Sequence, residues 1–270
     1  MLNESSSIGC SFDIAATTYD SNFTESAIGK LQRRRVLHFL QHSLPNQSLK
    51  ILEINCGTGE DALWLAGKGH LVIATDISEH MIATARKKIA EENLDSFVTA
   101  ARLSFDELAA HFTDEKFDLI FSDFGGLNCI SEIELKKLAE DFSSLLKLNG
   151  KLIAVVMGRK CWWERFYFLV KGNFKEAFRR NSKEKVEARI EKEIISTWYY
   201  SPKEFRKIFK EHFTFRRMRP VGLFVPPSYL NCFFEDKKFL LSIFNALEKL
   251  FPLSFLSNYA DHFYIELKKR

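Results

Sequence analysis

The chain predicts an α/β fold, on three observations. Short apolar runs of strand length recur at 49–54, 71–74, 97–101 and 117–122. Segments of helical spacing separate them. A glycine turn, Gly57-Thr58-Gly59, joins the first run to the first of these helices.

The elements follow in order. Residues 12–43 read as helical, and 31–40 as a basic amphipathic helix whose Arg33-Arg34-Arg35 forms a solvated face. Pro45 opens a turn into the first strand, 49–54. The helix over 60–68 keeps Leu63 and Ala66 on one side and is ended by Gly67 and Gly69. Asp76 closes the second strand, and Ser78 caps a helix over 79–91 with Met81, Ala85 and Ile89 on one face. A third strand (97–101) and a short helix or turn (105–111) lead to FDLIFS, the almost continuous apolar run expected of a strand covered on both faces. Ser131-Glu132-Ile133-Glu134 is a capping box for a helix to about residue 146, and Asn149-Gly150 turns into a fifth strand, 151–157. Residues 158–195 then break the rhythm: 161–171 is aromatic, and 174–192 is basic and helical in pattern. After a short strand at 198–200, Ser201-Pro202-Lys203-Glu204 is a second capping box with proline at the first helical position. A sixth strand (213–225, stopped by Pro226-Pro227), a helix (239–251) and a seventh strand (262–267) complete the chain, with no internal repeat.

Composition bounds the function. The 270 residues, 46% hydrophobic, suffice for one large domain with an embellishment. No run of 18 apolar residues exists, so no membrane span is expected, and the N-terminus lacks the basic and apolar regions of a secretory signal. Five scattered cysteines (Cys10, Cys56, Cys129, Cys161, Cys232), odd in number and without C-x-x-C, predict reduced thiols in a cytoplasmic protein and no metal. The net charge of +4 is unevenly spread. Residues 158–219 carry 18 Lys or Arg against 8 Asp or Glu, leaving the remainder net negative.

Two ligands fit the glycine turn. Gly57-Thr58-Gly59-Glu60-Asp61-Ala62 matches G-x-G-x-x-A, and Asp76 lies near the offset of a ribose-binding acid, as in a dinucleotide site. Glu53 argues against it, because a carboxylate there faces any pyrophosphate at the helix N-terminus. S-adenosylmethionine has no phosphate, and its sulfonium and α-ammonium favour that carboxylate.

Glu53-Ile54-Asn55-Cys56-Gly57-Thr58-Gly59 resembles the first motif of the class I S-adenosylmethionine-dependent methyltransferases: an acid, a hydrophobe, then G-x-G-x-G. Asn55 replaces the first glycine, and asparagine is the side chain that best tolerates positive φ. The resemblance covers roughly residues 12–157. It implies a Rossmann-like, doubly wound, seven-stranded sheet, mostly parallel with an antiparallel last strand, here with a helical cap insertion. As one domain, 1–270 would divide into an N-terminal helical lid (1–48), a cofactor-binding core (49–157), a basic, aromatic cap (158–200) and a C-terminal part of the sheet and helices (201–270).

The resemblance also implies the cofactor, S-adenosyl-L-methionine, with S-adenosyl-L-homocysteine as product, and a set of residues around it. Glu53 would serve the amino-acid end, bordered by Asn55, Cys56, Gly57 and Gly59. Asp76 would accept both ribose hydroxyls, with Ile77 and Met81 against the adenine. Ser104 and Phe105 match the adenine-contacting position after the third strand, where the family commonly has Asp at the place of Ser104; Asp106 is the substitute. Tyr19, in an A-x-x-Y-D segment at 16–20, resembles a lid residue.

The fourth strand delivers Asp123, Phe124 and Asn128 to the carboxyl edge of the sheet, where ligands sit in open α/β folds. This loop is neither N-P-P-Y-like nor a Pro-Cys nucleophile. Asp123, Asn128, Tyr199 and His262 are candidate catalytic groups, with His111, His212 and Tyr200 as further bases; no motif selects among them. Sixteen of the 26 phenylalanines follow Gly150, and the aromatic cap favours a small, apolar or aromatic acceptor methylated on O, N or C. The rival is a macromolecular acceptor or anionic surface (tRNA, rRNA, an acidic carrier protein, a membrane) held by the basic 158–219 region. Alternation of Lys175, Arg179 and Lys183 with Glu176, Glu184, Glu187 and Glu191 instead favours a solvated face, making nucleic acid the lesser reading. A third class binds the cofactor without catalysis.

Overall fold

The computed structural model describes residues 12–13, 16, 18–190 and 193–270. Part of the expected lid (1–11, 14, 15 and 17) and two residues of the predicted basic helix (191–192) lie outside the described residues. The strands are β1 (Lys50–Ile54), β2 (Leu71–Asp76), β3 (Val98–Arg102), β4 (Phe117–Ser122), β5 (Leu146–Met157), β6 (Val186–Ile190), β7 (Glu193–Thr197), β8 (Phe213–Val221) and β9 (His262–Lys269). The helices are α1 (Ala27–Gln41), α2 (Glu60–Ala66), α3 (Glu79–Glu91), α4 (Leu108–His111), α5 (Glu132–Leu145), α6 (Trp162–Val170), α7 (Phe174–Ala177), α8 (Pro202–Phe209), α9 (Asn231–Phe234) and α10 (Lys238–Leu250).

Seven strands form one sheet in the order β3-β2-β1-β4-β5-β9-β8. β3 through β5 are mutually parallel, and β9 enters antiparallel between β5 and β8. The continuous apolar runs follow from the two-residue period of a strand. Leu52, Ile54, Ile120 and Leu152 point into a core roofed by α4, α5 and α8. Their neighbours Ile51, Leu119, Phe121 and Ile153 point into a second core under α1, α2 and α3. Because both faces are covered, neither phase of the period needs polar residues. A third, smaller core joins the start of α1 to α6, α9 and α10 through Ile28, Trp163, Phe234, Leu241 and Phe244.

The sequence-derived elements hold over the sheet except at β5, which begins at Leu146 and takes the predicted Asn149-Gly150 turn into an irregular stretch of strand with Asn149 at φ 67°, and they diverge in the cap. Residues 174–192 are not one helix. They form α7, a 3-10 turn at Arg179–Asn181 and then β6, which pairs with β7 as a separate antiparallel hairpin. The reason is a period of two hidden under the charges: along β7, exposed Ile194 alternates with buried Ile195, and Thr197 is buried again. The cap therefore combines short helices with a hairpin. β8 also ends at Val221, before the predicted proline stop, because Gly222 turns the chain at φ 72°. Residues 198–200 contribute only an isolated bridge, Gly158 to Tyr200. Among the described residues no helix is long and apolar enough to cross a membrane.

Candidate cofactor and acceptor site

The carboxyl ends of β1, β2 and β4 converge on the glycine turn. Asn55 adopts φ 50°, Gly57 φ 54° and Gly59 φ 84°. A Cβ on Gly59 would stand 3.0 Å from that of Ala85, so glycine here lets α2 and α3 approach. Asn55 can stand for the first glycine because its side chain is anchored at both ends of the amide. Its Nδ2 donates to the Asp123 carbonyl (2.7 Å), and its Oδ1 accepts from Ser122 Oγ (2.6 Å). It buckles the β1 loop to the β4 loop, with one N–H and one lone pair committed to that link. A Cβ on Gly126 would fall 2.2 Å from the Asn55 side chain, so that glycine makes room for the buckle.

Around the turn lies a buried, mostly acidic group. Glu53, Asp61, Asp76 and Asp123 are all buried. Burial, then the charge of Asp61, pushes the Glu53 carboxyl well above the usual range, against the pull of Arg33. The same causes raise Asp123, countered by Arg33 and by the Phe124 N–H donating to its Oδ1 (2.8 Å). Arg33 forms an ion pair with Asp61 and lies over the rings of Phe124 (5.4 Å) and Phe23 (5.8 Å). Arg35 is also buried, donating to the Glu248 carbonyl (2.7 Å). The predicted solvated arginine face of α1 is thus corrected: only Arg34 is exposed, since the acids beneath α1 require a buried cation. Spacing alone did not reveal Arg33; the acidic residues Glu53, Asp61 and Asp123 were the available signal.

Three oxygens in this group, Glu53 Oε2, Asp61 Oδ1 and Asp123 Oδ2, are buried without a hydrogen-bond partner, and, after burial, the Asp61 carboxyl beside Asp123 helps to push the Asp123 carboxyl up. Buried carboxylate oxygens left this way lack the donors that normally offset desolvation. They suit the α-ammonium of S-adenosylmethionine and oppose a pyrophosphate. Asp76 differs. It accepts from the backbone N–H of Gly57 (2.9 Å) and of Ser78 (2.9 Å), which hold both oxygens at the end of β2 against the upward push of burial on its carboxyl. With one N–H at each oxygen, lone pairs remain for two ribose hydroxyls.

Tyr19 lies over the turn: a Cβ on Gly57 would be 3.8 Å from Tyr19 Cε1. Its neighbour Asp20 accepts from Thr58 Oγ1 (2.7 Å) and pairs with Lys88 (2.6 Å), pinning this segment to α3. Asp13 bonds the hydroxyl of Ser78 beside Asp76. The polar anchors therefore place the N-terminal segment across the expected cofactor site.

The remaining predicted contacts divide. Ile77 is half-buried beside Asp76, whereas Met81 and Cys56 are buried, Cys56 within the second core. Ser104 does not face outward as a free hydroxyl. Its N–H (2.8 Å) and Oγ (2.6 Å) both donate to Glu107, and Asp106 is exposed. Phe105 packs on the first core.

On the acceptor side, Phe124 takes the left-handed φ of 40°, a strained backbone for a bulky residue. Its ring meets Phe23 (4.8 Å) and His262 (5.5 Å) edge to face. His262 starts β9 opposite Met157, at the carboxyl edge of β5, with Nδ1 3.2 Å from Asp261 Oδ2. His111 precedes β4, and His212 precedes β8, which runs parallel to β5, so both lie at the opposite edge. Asn128 is a strut. Its side chain bonds the Met157 N–H (2.8 Å), the Met157 carbonyl (3.2 Å) and the Trp198 carbonyl (2.6 Å), and is spent on joining β5 to the cap. Tyr199 is buried with Arg180 over its ring (4.9 Å), and Tyr200 donates to the Ile130 carbonyl (2.5 Å). The cap aromatics do not converge on one pocket. Trp163 and Tyr167 enter the third core, while Trp162 and Phe166 are exposed, because a nine-residue helix apolar nearly all round cannot bury every face.

Residues 51–150 match the family described as a methyltransferase domain. The chain is similar to a demethylmenaquinone methyltransferase of Clavibacter sepedonicus, 29% identical over 146 residues covering 54% of this chain and 56% of that protein. A Bacteroides fragilis protein of the same name is 32% identical over 146 residues, covering 53% and 56%. The match thus spans about half the length of these curated relatives. In fold, the chain is similar to a magnesium protoporphyrin IX methyltransferase from Synechocystis PCC 6803 crystallised with S-adenosylmethionine, with TM-score 0.62 and 14% identity over 100% of this chain and 99% of that one. Sheet order and the matched segment together give residues 51–150 the likeness of a methyltransferase domain, set in a seven-stranded sheet of methyltransferase-like fold.

Proposed function

We propose that the chain transfers a methyl group from S-adenosylmethionine to a small, apolar or aromatic acceptor. The observation that carries the reading is the set of partnerless buried oxygens, Glu53 Oε2, Asp61 Oδ1 and Asp123 Oδ2, beside a glycine turn whose Asp76 is held ready for a diol. Glu53 and Asp123 hold the ammonium, Asp76 the ribose, and Ile77 the adenine, with Tyr19 closing over the turn. When bound, S-adenosylmethionine supplies a methyl group already activated on a sulfonium. The chain then has to position the acceptor and exclude water, and positioning alone is worth up to roughly 7–11 kcal/mol.

The acceptor belongs at the Phe23–Phe124–His262 cluster, whose rings suit an apolar or aromatic molecule. His262, whose Nδ1 lies 3.2 Å from Asp261 Oδ2, takes the proton of an acceptor that must lose one. Demethylmenaquinone and magnesium protoporphyrin IX, for which the relatives above are named, support the small-molecule class. The macromolecular alternative loses three of the 18 basic side chains of 158–219 to internal pairs: Arg179 and Arg180 pair with Glu164, and Arg159 with Glu204.

Calorimetric titration with S-adenosylhomocysteine tests the reading, with NAD as control. Saturable binding weakened about tenfold to a hundredfold by Asp76→Ala supports it. Binding of NAD in preference overturns it.

A further inference from the structure

Two helices, α6 of the cap and α10 of the C-terminal part, carry apolar faces that nothing among the described residues covers. On α6, Trp162, Phe166 and Val170 follow one another at four-residue spacing. On α10, Phe239, Ile243 and Leu250 share one face. Their exposure runs from 41% at Ile243 to 81% at Phe239, although each helix already buries an opposite face in the third core. The helices are neighbours, since the Trp163 ring meets Phe244 (5.3 Å) and Phe234 (6.0 Å). Apolar residues repeated at helical spacing on an outward face mark an interaction surface rather than scattered exposure.

The charges around this surface indicate its partner. Lys160, Lys171 and Lys175 flank α6, and Lys237, Lys238 and Lys249 flank α10, all exposed. The acid of each helix is withdrawn. Glu164 is buried against Arg179 and Arg180, and Glu248 accepts from four backbone N–H groups at 222–225. Glu235 and Asp236 are the exposed acids at the start of the α10 side, beside Lys237 and Lys238. Two lysines lie over aromatic rings, Lys171 on Tyr167 (4.3 Å) and Lys237 on Phe233 (3.8 Å), with the stem along apolar surface and the charge at its rim. A second copy docked here would bring lysine rim against lysine rim, and nucleic-acid bases could stack on Trp162, Phe166 and Phe239 but would leave the aliphatic Val170, Ile243 and Leu250 uncovered.

We infer that the outward faces of α6 and α10 form a docking surface for an anionic lipid bilayer. The apolar side chains enter the acyl boundary, and the lysines meet the lipid phosphates. Helices of 9 and 13 residues are too short to span a bilayer and lie along it. The surface borders the acceptor edge, because the N–H of Trp162 donates to the carbonyl of Tyr259, three residues before His262. This goes beyond methyl transfer and is tested without it, since vesicles need contain neither cofactor nor acceptor.

The experiment is flotation of the full chain with vesicles of phosphatidylglycerol and phosphatidylcholine, or of phosphatidylcholine alone. Binding is expected to the anionic vesicles. It should be abolished by the double substitution Phe166→Glu/Phe239→Glu, and weakened about fivefold for each of Lys171→Glu and Lys238→Glu. Unchanged thermal melting and S-adenosylhomocysteine affinity of the variants separate lost docking from lost folding. The inference is overturned if no vesicle is bound, if binding ignores lipid charge or survives the double substitution, or if light scattering shows instead a dimer that Phe166→Glu/Phe239→Glu dissolves.

Discussion

The buried charges of the cofactor half and of the cap half are solved in opposite ways. In the cap, Glu164 is held by Arg179 and Arg180, Arg180 reaches on to Asp261 (2.9 Å), and Glu248 is saturated by backbone N–H groups. Although burial opposes it, the charges of His262 and Arg180 hold the Asp261 carboxyl below the usual range. In the cofactor half, Arg33 is the cation paired with Asp61, while Glu53, Asp61 and Asp123 each keep an oxygen without a partner, and Glu53 and Asp123 are driven toward their neutral forms. A satisfied buried charge holds a fold together, whereas an unsatisfied one is a socket that a ligand completes.

The largest expected effect breaks the cap side of this contrast. Glu164→Ala removes the carboxylate shared by two arginines, leaving buried Arg180 with Asp261 and Arg179 with Glu176, and should cost about 3–5 kcal/mol of stability in denaturant titration. A loss under about 1 kcal/mol would class the network with ordinary surface pairs.

Glu53→Gln tests the other side, and its sign is opposite. Stability without ligand should hold or rise, while S-adenosylhomocysteine affinity falls about tenfold to a hundredfold in calorimetry. The pH dependence sharpens this. With its carboxyl raised well above 4.5, Glu53 binds more protons folded than unfolded as pH climbs past 4.5, so it contributes falling stability with rising pH through its folded value. The Gln variant should flatten that slope in melts taken between pH 4.5 and 8, and an unchanged slope would remove Glu53 from the account.

Asn128→Ala should loosen the junction between β5 and the hairpin, leaving the Met157 and Trp198 groups unpaired, at about 1–3 kcal/mol. Faster hydrogen exchange in β7 with the glycine turn unaffected would identify it as a strut. The smallest effects belong to His111→Ala and His212→Ala, at the edge away from the site, each within about 0.5 kcal/mol and without change in methyl transfer. A large loss of activity in either would misplace the acceptor.

Legibility in the sequence follows the same division. Strands, capping boxes and the glycine turn depend on neighbours a few residues apart. Ser131 and Ser201 both form the reciprocal caps that their spacing announces. The placement of Glu53 and Asp76 at the carboxyl edge of the sheet was legible because each lies at or next to the end of a short apolar run of strand length. The basic stretch 174–192 misled, since its charges masked the alternation that makes a hairpin. Ser104 and Asn128 also misled: their partners, Glu107, Met157 and Trp198, decide whether a polar group is offered or spent.

By itself, the sequence determined the α/β class, the strand segments of the sheet and the turn that holds the cofactor, because these rest on hydrophobic period and on the conformational freedom of a few residues. Only the tertiary structure decided that Arg33 is an internal cation, that Asn55 is a buckle, that the cap aromatics divide between core and surface, and which histidine reaches the acceptor edge. Those outcomes depend on which distant elements meet, and long-range pairing of buried charge and apolar area is a property of the assembled layers rather than of any local pattern.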